Sequence, residues 1–410
     1  MKILVQKFGG TSLENPDVRQ MALEKIIHAI NEGFSPVVVV SAMGRNGSPY
    51  ATDTLKGLIA LNRTPGNNKN LDLLLSCGEI ISAVVLSDLL DHAGYPACAL
   101  TGWQAGILTD DHFGEADILN IDKEALMTYL EQGLIPVVTG FQGMTLHREV
   151  TTLGRGGSDT TAVALAVALK AAAVEIFTDV DGIMTADPRV VPQASMLQEI
   201  HYDEVFQLAD QGAKVIHPRA VEIARQNGMP VRIRNTRSNH VGTLISSQRQ
   251  QFDTIYRRNK PQELLTAITH KDNLVQFVLH SYGDPVAESK LFDEMASSGI
   301  SIDMINFSVD QKAFVVDAST SGKLQDLLIE REFAHDIHPD VSKVTIIGNR
   351  INGIPGVMAT VVRTLTKESI PLLQSSDSHA TISCLVSSEL AVRAVKALHR
   401  EFGLDHASHR

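Results

Sequence analysis

Short β-branched runs alternate with longer stretches of helical period through residues 1–245, and few architectures accommodate such a chain. The runs fall at residues 3–8, 36–41, 95–101, 134–139, 174–178 and 229–234. Consecutive strands separated by helices pair in parallel with the helices on the sheet faces, so the predicted fold is α/β, a mostly parallel sheet between helices. Residues 162–173, Ala-Val-Ala-Leu-Ala-Val-Ala-Leu-Lys-Ala-Ala-Ala, are apolar nearly all round, which predicts a helix buried against that sheet. With 410 residues, 44% of them hydrophobic, the chain can fill the cores of two to three domains.

From residue 246 to 262 the sequence turns polar and basic without an apolar period, as expected of a linker. Beyond it, short strands are separated by single helices, and residues 291–308 and 361–378 repeat one pattern at a spacing of about 70 residues. Two α+β units of the βαββαβ kind, 263–340 and 341–410, are the simplest account; one irregular α+β domain is the alternative.

The net charge of −11 and the lack of a basic stripe argue against a nucleic-acid partner. No apolar run is read as a membrane span, and Met1 to Phe8 lack the pattern of a signal peptide, so a cytoplasmic location is expected. Cys77, Cys98 and Cys384 are far apart, and the 15 histidines show no ligand spacing. Neither a disulfide framework nor a protein-held metal site is expected.

Residues 151–161, Thr-Thr-Leu-Gly-Arg-Gly-Gly-Ser-Asp-Thr-Thr, have the composition of an anion cradle. Gly154, Gly156 and Gly157 permit close backbone approach, Arg155 supplies a fork for a carboxylate or phosphate, and Ser158 or Asp159 can cap the helix that follows. A plain turn with a helix cap reads the same residues equally well. The first strand ends in Lys7-Phe8-Gly9-Gly10-Thr11-Ser12, placing a cation and two glycines where α/β sheets bind ligands, with a helix expected from Asp17. No Walker A spacing occurs, which disfavours P-loop NTPases. Residues 177–189 leave a strand into a loop of carboxylates, glycine and proline that ends in Arg189; it fits a base, ribose or phosphate, or an ordinary turn. Ser76-Cys77-Gly78-Glu79 is read as a helix start with a carboxylate in its first turn, and residues 212–218, Gly-Ala-Lys-Val-Ile-His-Pro, supply a second lysine.

In order, the Lys7 to Ser12, Ser76 to Glu79, 152–159, 177–189 and 212–218 segments resemble the motifs of the aspartokinases, and the resemblance extends over the whole chain. It implies an amino acid kinase fold followed by paired ACT regulatory domains. The implied reaction is MgATP-dependent phosphorylation of the side-chain carboxylate of L-aspartate to 4-phospho-L-aspartate, which leads to lysine, diaminopimelate, threonine and methionine. By the same resemblance, Lys7, Asp159 and Lys214 are catalytic. Thr52, Glu79, Arg155, Gly156, Gly157 and Ser158 bind substrate, while Lys7, Phe8, Gly9, Gly10, Thr178, Asp179, Arg189, Lys214 and Val215 bind ATP. Two features depart from the pattern: Met184 stands where many relatives carry tyrosine, and residues 45–50 form a longer insertion. A carboxylate nucleophile with a reference pKa near ~3.9 is already ionised at neutral pH, so no general base is needed. The work is positioning and charge neutralisation by Lys7, Lys214 and Mg²⁺, with Asp159 assigned to orientation.

In the second repeat, the resemblance implies an amino-acid effector (lysine, threonine or diaminopimelate) bound by Ile354, Gly356, Val357, Ser375, Ser376 and Asp377, and homo-oligomers formed through the ACT-like units. The residues alone show only a helix start and polar strand-end positions, which simple capping also explains. Kinases of the same fold acting on acetylglutamate, glutamate or uridylate usually lack this half. A catalytically silent sensor would not be expected to keep Lys7, Glu79, Arg155 and Lys214. The length leaves no room for a fused homoserine dehydrogenase after the repeats.

Overall fold

The computed structural model describes residues 1–59, 68–211, 215–247, 265–280, 285–308, 311–348, 351 and 354–405. In chain order the first half runs β1 (Ile3–Phe8), α1 (Pro16–Asn31), β2 (Ser35–Val40), α2 (Thr52–Gly57), α3 (Lys69–His92), β3 (Ala97–Leu100), β4 (Ile107–Thr109), β5 (Ile118–Ile121), α4 (Glu124–Glu131), β6 (Ile135–Thr139), β7 (Gln142–Met144) and β8 (Val150–Thr152). It continues through α5 (Gly157–Ala168), β9 (Ala173–Thr178), β10 (Glu199–His201), α6 (Tyr202–Asp210), α7 (Pro218–Asn227), β11 (Val231–Asn235) and β12 (Thr243–Ser246).

Eight strands form one sheet in the order β10-β12-β11-β9-β1-β2-β6-β3, parallel except where β12 runs against β11. The central strands β1 and β2 carry Val5, Phe8 and Val37 to Val40 with essentially no exposure, as expected of strands covered on both faces. The four-stranded sheet β5-β4-β7-β8 stands apart; its last strand runs directly into the Gly154–Gly157 loop.

Two helix assignments shift. The apolar helix predicted at 162–173 is α5, which starts and ends five residues earlier, because Gly156 opens it in the left-handed region and Lys170, at φ 52°, lies beyond its end. Its buried Val163 and Leu165 each contribute about 1.5–3 kcal/mol of apolar burial. Glu79 does not lie in a first turn: α3 begins ten residues earlier, so the carboxylate sits mid-helix. Contrary to the sequence reading, α3 is long and apolar enough to cross a membrane, but half of that window packs inside the protein, and its Asp72 and Glu79 are buried at the cavity described below.

The second half runs β13 (Leu265–His280), α8 (Pro285–Ser297), β14 (Ile302–Phe307), β15 (Gln311–Asp317), α9 (Ala318–Glu330), β16 (His335–Gly348), α10 (Val357–Lys367), β17 (Gln374–Asp377), β18 (Thr381–Ser387) and α11 (Ser388–Glu401). All six strands share one sheet, β14-β15-β13-β16-β18-β17. The repeated pattern is α8 into β14 and α10 into β17. Within β16 the pairing with β13 shifts register between Val341 and Lys343. Irregularities at Lys271–Gln276 divide β13, so that 274–280 pair with β15 and with 335–341 of β16, whereas 265–271 pair with 343–348 of β16 and pack in the core of α10, β18 and α11. The second unit thus takes a strand from ahead of the first. In the other direction β12 reaches Ser246, inside the span read as linker, whose residues from 248 to 262 lie outside the described ones.

The halves are joined through residues 183–197. Ala186 and Val191 belong to the core around α10 and α11, Ile268 N–H donates to Thr185 O at 2.8 Å, and Thr185 Oγ1 lies 2.9 Å from His399 Nε2 in a buried hydrogen bond. Ser195 Oγ donates to Asp405 O at 2.9 Å.

Candidate active site

The ends of β1, β2 and β6 open into a cavity of about 980 Å³, where Lys7, Ser41 and Phe141 form part of its wall. Lys7 Nζ lies 2.7 Å from Asp159 Oδ1, and both side chains are only slightly exposed (11% and 13%). Asp159 is in the first turn of α5, whose cap is Gly156 at φ 69° with no side-chain cap bond. Ser158 and Asp159 are therefore first-turn residues rather than caps; Gly157 N–H donates to Gly154 O at 3.1 Å, so the N–H groups of Ser158 and Asp159 are the ones placed to meet an anion. Arg155, exposed, lines the same cavity with Gly156 and Gly157.

In the same cavity, Glu79 is 2% exposed and accepts Ala42 N–H at 3.1 Å, while its Oε2 has no partner among the described residues. Burial pushes its carboxyl up to about 8, only partly opposed by that N–H. Thr52, at the start of α2, completes the expected substrate set.

Asp72 and Phe141 are among the lining residues that were not anticipated. Asp72, fully buried, accepts both Gly114 N–H at 2.9 Å and Thr152 N–H at 2.8 Å on Oδ2, which ties α3 to β8; burial raises its pKa. Phe141 holds φ 70°, an uncommon conformation for a bulky residue, within Thr139-Gly140-Phe141-Gln142-Gly143. Glycines flanking a strand end were the available signal for that loop. Asp72 had none.

On the nucleotide side, Gly9 N–H donates to Phe177 O at 3.2 Å, which sets the glycine pair beside Thr178 and Asp179. A Cβ on Gly10 would lie 2.6 Å from both Ala42 O and Gly44 O, so no other residue fits without moving backbone. The 45–50 insertion starts beside this loop, and Arg45 forms an ion pair with Asp179. Other expected nucleotide contacts are corrected in part. The Phe8 ring is fully buried and stacks on Phe177 at 4.8 Å, and its carbonyl accepts Ser41 N–H at 3.1 Å, so its side chain does not face a ligand. Arg189 is outside the cavity lining, its fork held by Asp187 two residues away, at 2.7 Å from Nη2. Val215 is half-buried and packs on the main core, Met184 is half-buried and bridges to Met196, and Lys214 lies outside the described residues.

A second cavity, about 240 Å³, lies between the start of α10 and β17. Ile354, Val357, Ser375, Ser376 and Asp377 line it, and Gly356 opens α10 at φ 98°.

A parallel sheet with a Gly-Gly loop at its central strand, a lysine–carboxylate pair and an arginine facing a buried glutamate define a member of the amino acid kinase family. The model of that family matches residues 2–235, and an ACT domain model matches residues 336–400. Aspartokinase 1 of Bacillus subtilis is 45% identical over 407 residues, 98% of this chain and 100% of that protein. The aspartate kinase of Synechocystis superposes with a TM-score of 0.81 at 27% identity, covering 98% of each chain. Aspartokinase III of E. coli, solved with aspartate and ADP and also with lysine and aspartate, gives 0.75 at 27% identity, covering 98% of this chain and 99% of that one. The chain belongs to the aspartokinases, the enzymes that act as aspartate kinases.

Proposed function

We propose that the enzyme transfers the γ-phosphoryl group of MgATP to the side-chain carboxylate of L-aspartate at the 980 Å³ cavity. A carboxylate oxygen attacks phosphorus, the bond to the β-phosphate oxygen breaks, and 4-phospho-L-aspartate and ADP result. No proton moves, because the nucleophile is already ionised. Mg²⁺ enters as part of the co-substrate and neutralises phosphate charge. The observation that carries this reading is the Lys7–Asp159 pair at 2.7 Å, in one cavity with Glu79 and Arg155. Lys7 offsets charge on the transferring group, and Asp159 holds the lysine in place. Arg155 takes the α-carboxylate and Glu79 the ammonium. Gly9, Gly10, Thr178 and Asp179 receive the nucleotide with Lys214 and Val215. Thr52, the Ser158 N–H and the close backbone approach that Gly156 and Gly157 allow complete the aspartate site. ADP release dependent on aspartate is expected; release at the same rate without it would overturn the reading.

The product feeds lysine, diaminopimelate, threonine and methionine synthesis in the cytoplasm, and an end-product amino acid returns to the 240 Å³ cavity. Its apolar floor beside Ser375, Ser376 and Asp377 suits an amino acid, with Asp377 for an ammonium and the α10 start for a carboxylate. Subunits pair through this half, where Ile305 and Phe307 stand exposed on the edge strand β14. Asp377→Ala should raise the half-inhibitory concentration of lysine, threonine or diaminopimelate, whichever inhibits, by about tenfold or more, a charged hydrogen bond contributing roughly 1.5–3 kcal/mol. Its uninhibited kcat should stay that of the parent. Unchanged inhibition would assign the effector elsewhere.

A further inference from the structure

The start of α7 grips the Leu153–Gly156 loop at two points that bracket Arg155. His217 caps α7, its Nδ1 accepting Arg219 N–H at 3.4 Å, with Pro218 fixing the first helical residue. Its ring lies against Gly156: a Cβ there would fall 2.2 Å from Cγ, 2.3 Å from Cβ and 2.6 Å from Cδ2 of His217. Gly156 is also at φ 69°, so the loop's left-handed residue and the ring's seat are the same position. From the same first turn, Arg219 donates to Leu153 O at 3.2 Å and Ala116 O at 2.9 Å, and pairs with Asp117. Residues two before and one after Arg155 are thereby fixed from one helix start.

We propose that His217 is a positioning residue for the aspartate site: its imidazole, seated on Gly156, fixes the backbone that aims Arg155 at the substrate carboxylate. This rests on the reading that Arg155 binds that carboxylate. A neutral ring suits the task. Burial lowers the pKa of His217, Arg219 and Arg155 add to that, and Asp159 opposes it. The ring so adds no positive charge beside Arg155, and its Nδ1 remains a cap acceptor.

His217→Asn keeps a cap acceptor without the ring, while His217→Phe keeps a ring without the acceptor. For His217→Asn we expect KM for aspartate to rise about tenfold or more, since small misplacements of a binding group are costly, with KM for ATP and Tm near the parent. His217→Phe should keep KM for aspartate within about threefold while lowering Tm, the loss of a cap contribution. Combined with Arg155→Ala, His217→Asn should add little to the KM increase of Arg155→Ala alone, because the two act as one unit. Additive increases, or a parental KM for aspartate in His217→Asn, would overturn the proposal, and the double variant decides it should His217→Phe not fold. An Arg155→Ala enzyme with parental KM for aspartate would instead remove the reading beneath it.

Discussion

Replacing Lys7 by alanine is expected to lower kcat by about 10²–10³, the usual effect of removing one preorganised donor from the charge developing in a transition state. KM for aspartate should change by much less. Lys7 Nζ is 2.7 Å from Asp159 at the end of the strand that carries Gly9 and Gly10, so it is placed for the transferring group rather than for the amino-acid backbone. Removing it also strands a nearly buried carboxylate, which costs stability in its own right. Lys7→Gln, which can still donate to Asp159, separates the two effects: its Tm should lie above that of Lys7→Ala while its kcat remains low. An unchanged kcat in either variant would contradict a transition-state role.

Glu79 is expected to make aspartate binding depend on pH and to release a proton. Burial pushes its carboxyl up to about 8, whereas an incoming ammonium favours the carboxylate. KM for aspartate should therefore fall as pH rises from about 6.5 to 8.5, and calorimetry in buffers of different ionisation enthalpy should show proton release on binding. Stability runs the opposite way. The folded-state value lies above the unfolded value of 4.5, so this contribution is complete below about 4.5 and is lost as pH rises through about 8. Glu79→Gln should flatten both dependences and raise KM for aspartate by roughly 10–100-fold, the effect of losing a charged hydrogen bond. A KM with the parental pH dependence in this variant would assign the ammonium to another group.

Local chemistry was legible in the sequence wherever a backbone demand selects the residue. Gly10 beside the end of β1, and Gly154 to Gly157 before an apolar helix, were announced because close packing at the first and positive φ at Gly154 and Gly156 exclude most other residues; the second segment lines the cavity. Burial inside α3 was less legible. Asp72 and Glu79 lie seven residues apart, two turns on one helical face, but the run around them is so apolar that periodicity alone does not say which face meets the cavity. Arg189 reads in the sequence as a guanidinium offered to phosphate; what the sequence does not show is that Asp187 two residues away pairs with its fork. The shared strand β13 was illegible for a different reason. A repeat in sequence fixes the likeness of two units, not which unit pairs with the strand ahead of them, and that pairing spans roughly 80 residues from Leu265 to Gly348.

The same pairing gives the second half a physical route to the first. The core that lines the 240 Å³ cavity also holds Ala186 and Val191, and the buried Thr185–His399 hydrogen bond ties α11 to the loop that follows β9. An effector that binds two arrangements of this core unequally would bias the loop beside Thr178 and Asp179.

The central claim is that one cavity selects aspartate through both of its backbone charges while Lys7 neutralises the phosphoryl group. Trapping the acyl phosphate as its hydroxamate tests it most directly, with MgATP, hydroxylamine and either aspartate, succinate or glutamate. The account predicts hydroxamate from aspartate, very little from succinate, which leaves Glu79 without an ammonium, and very little from glutamate, whose longer side chain displaces the nucleophile. Equal yields from succinate or glutamate, or none from aspartate, would contradict it.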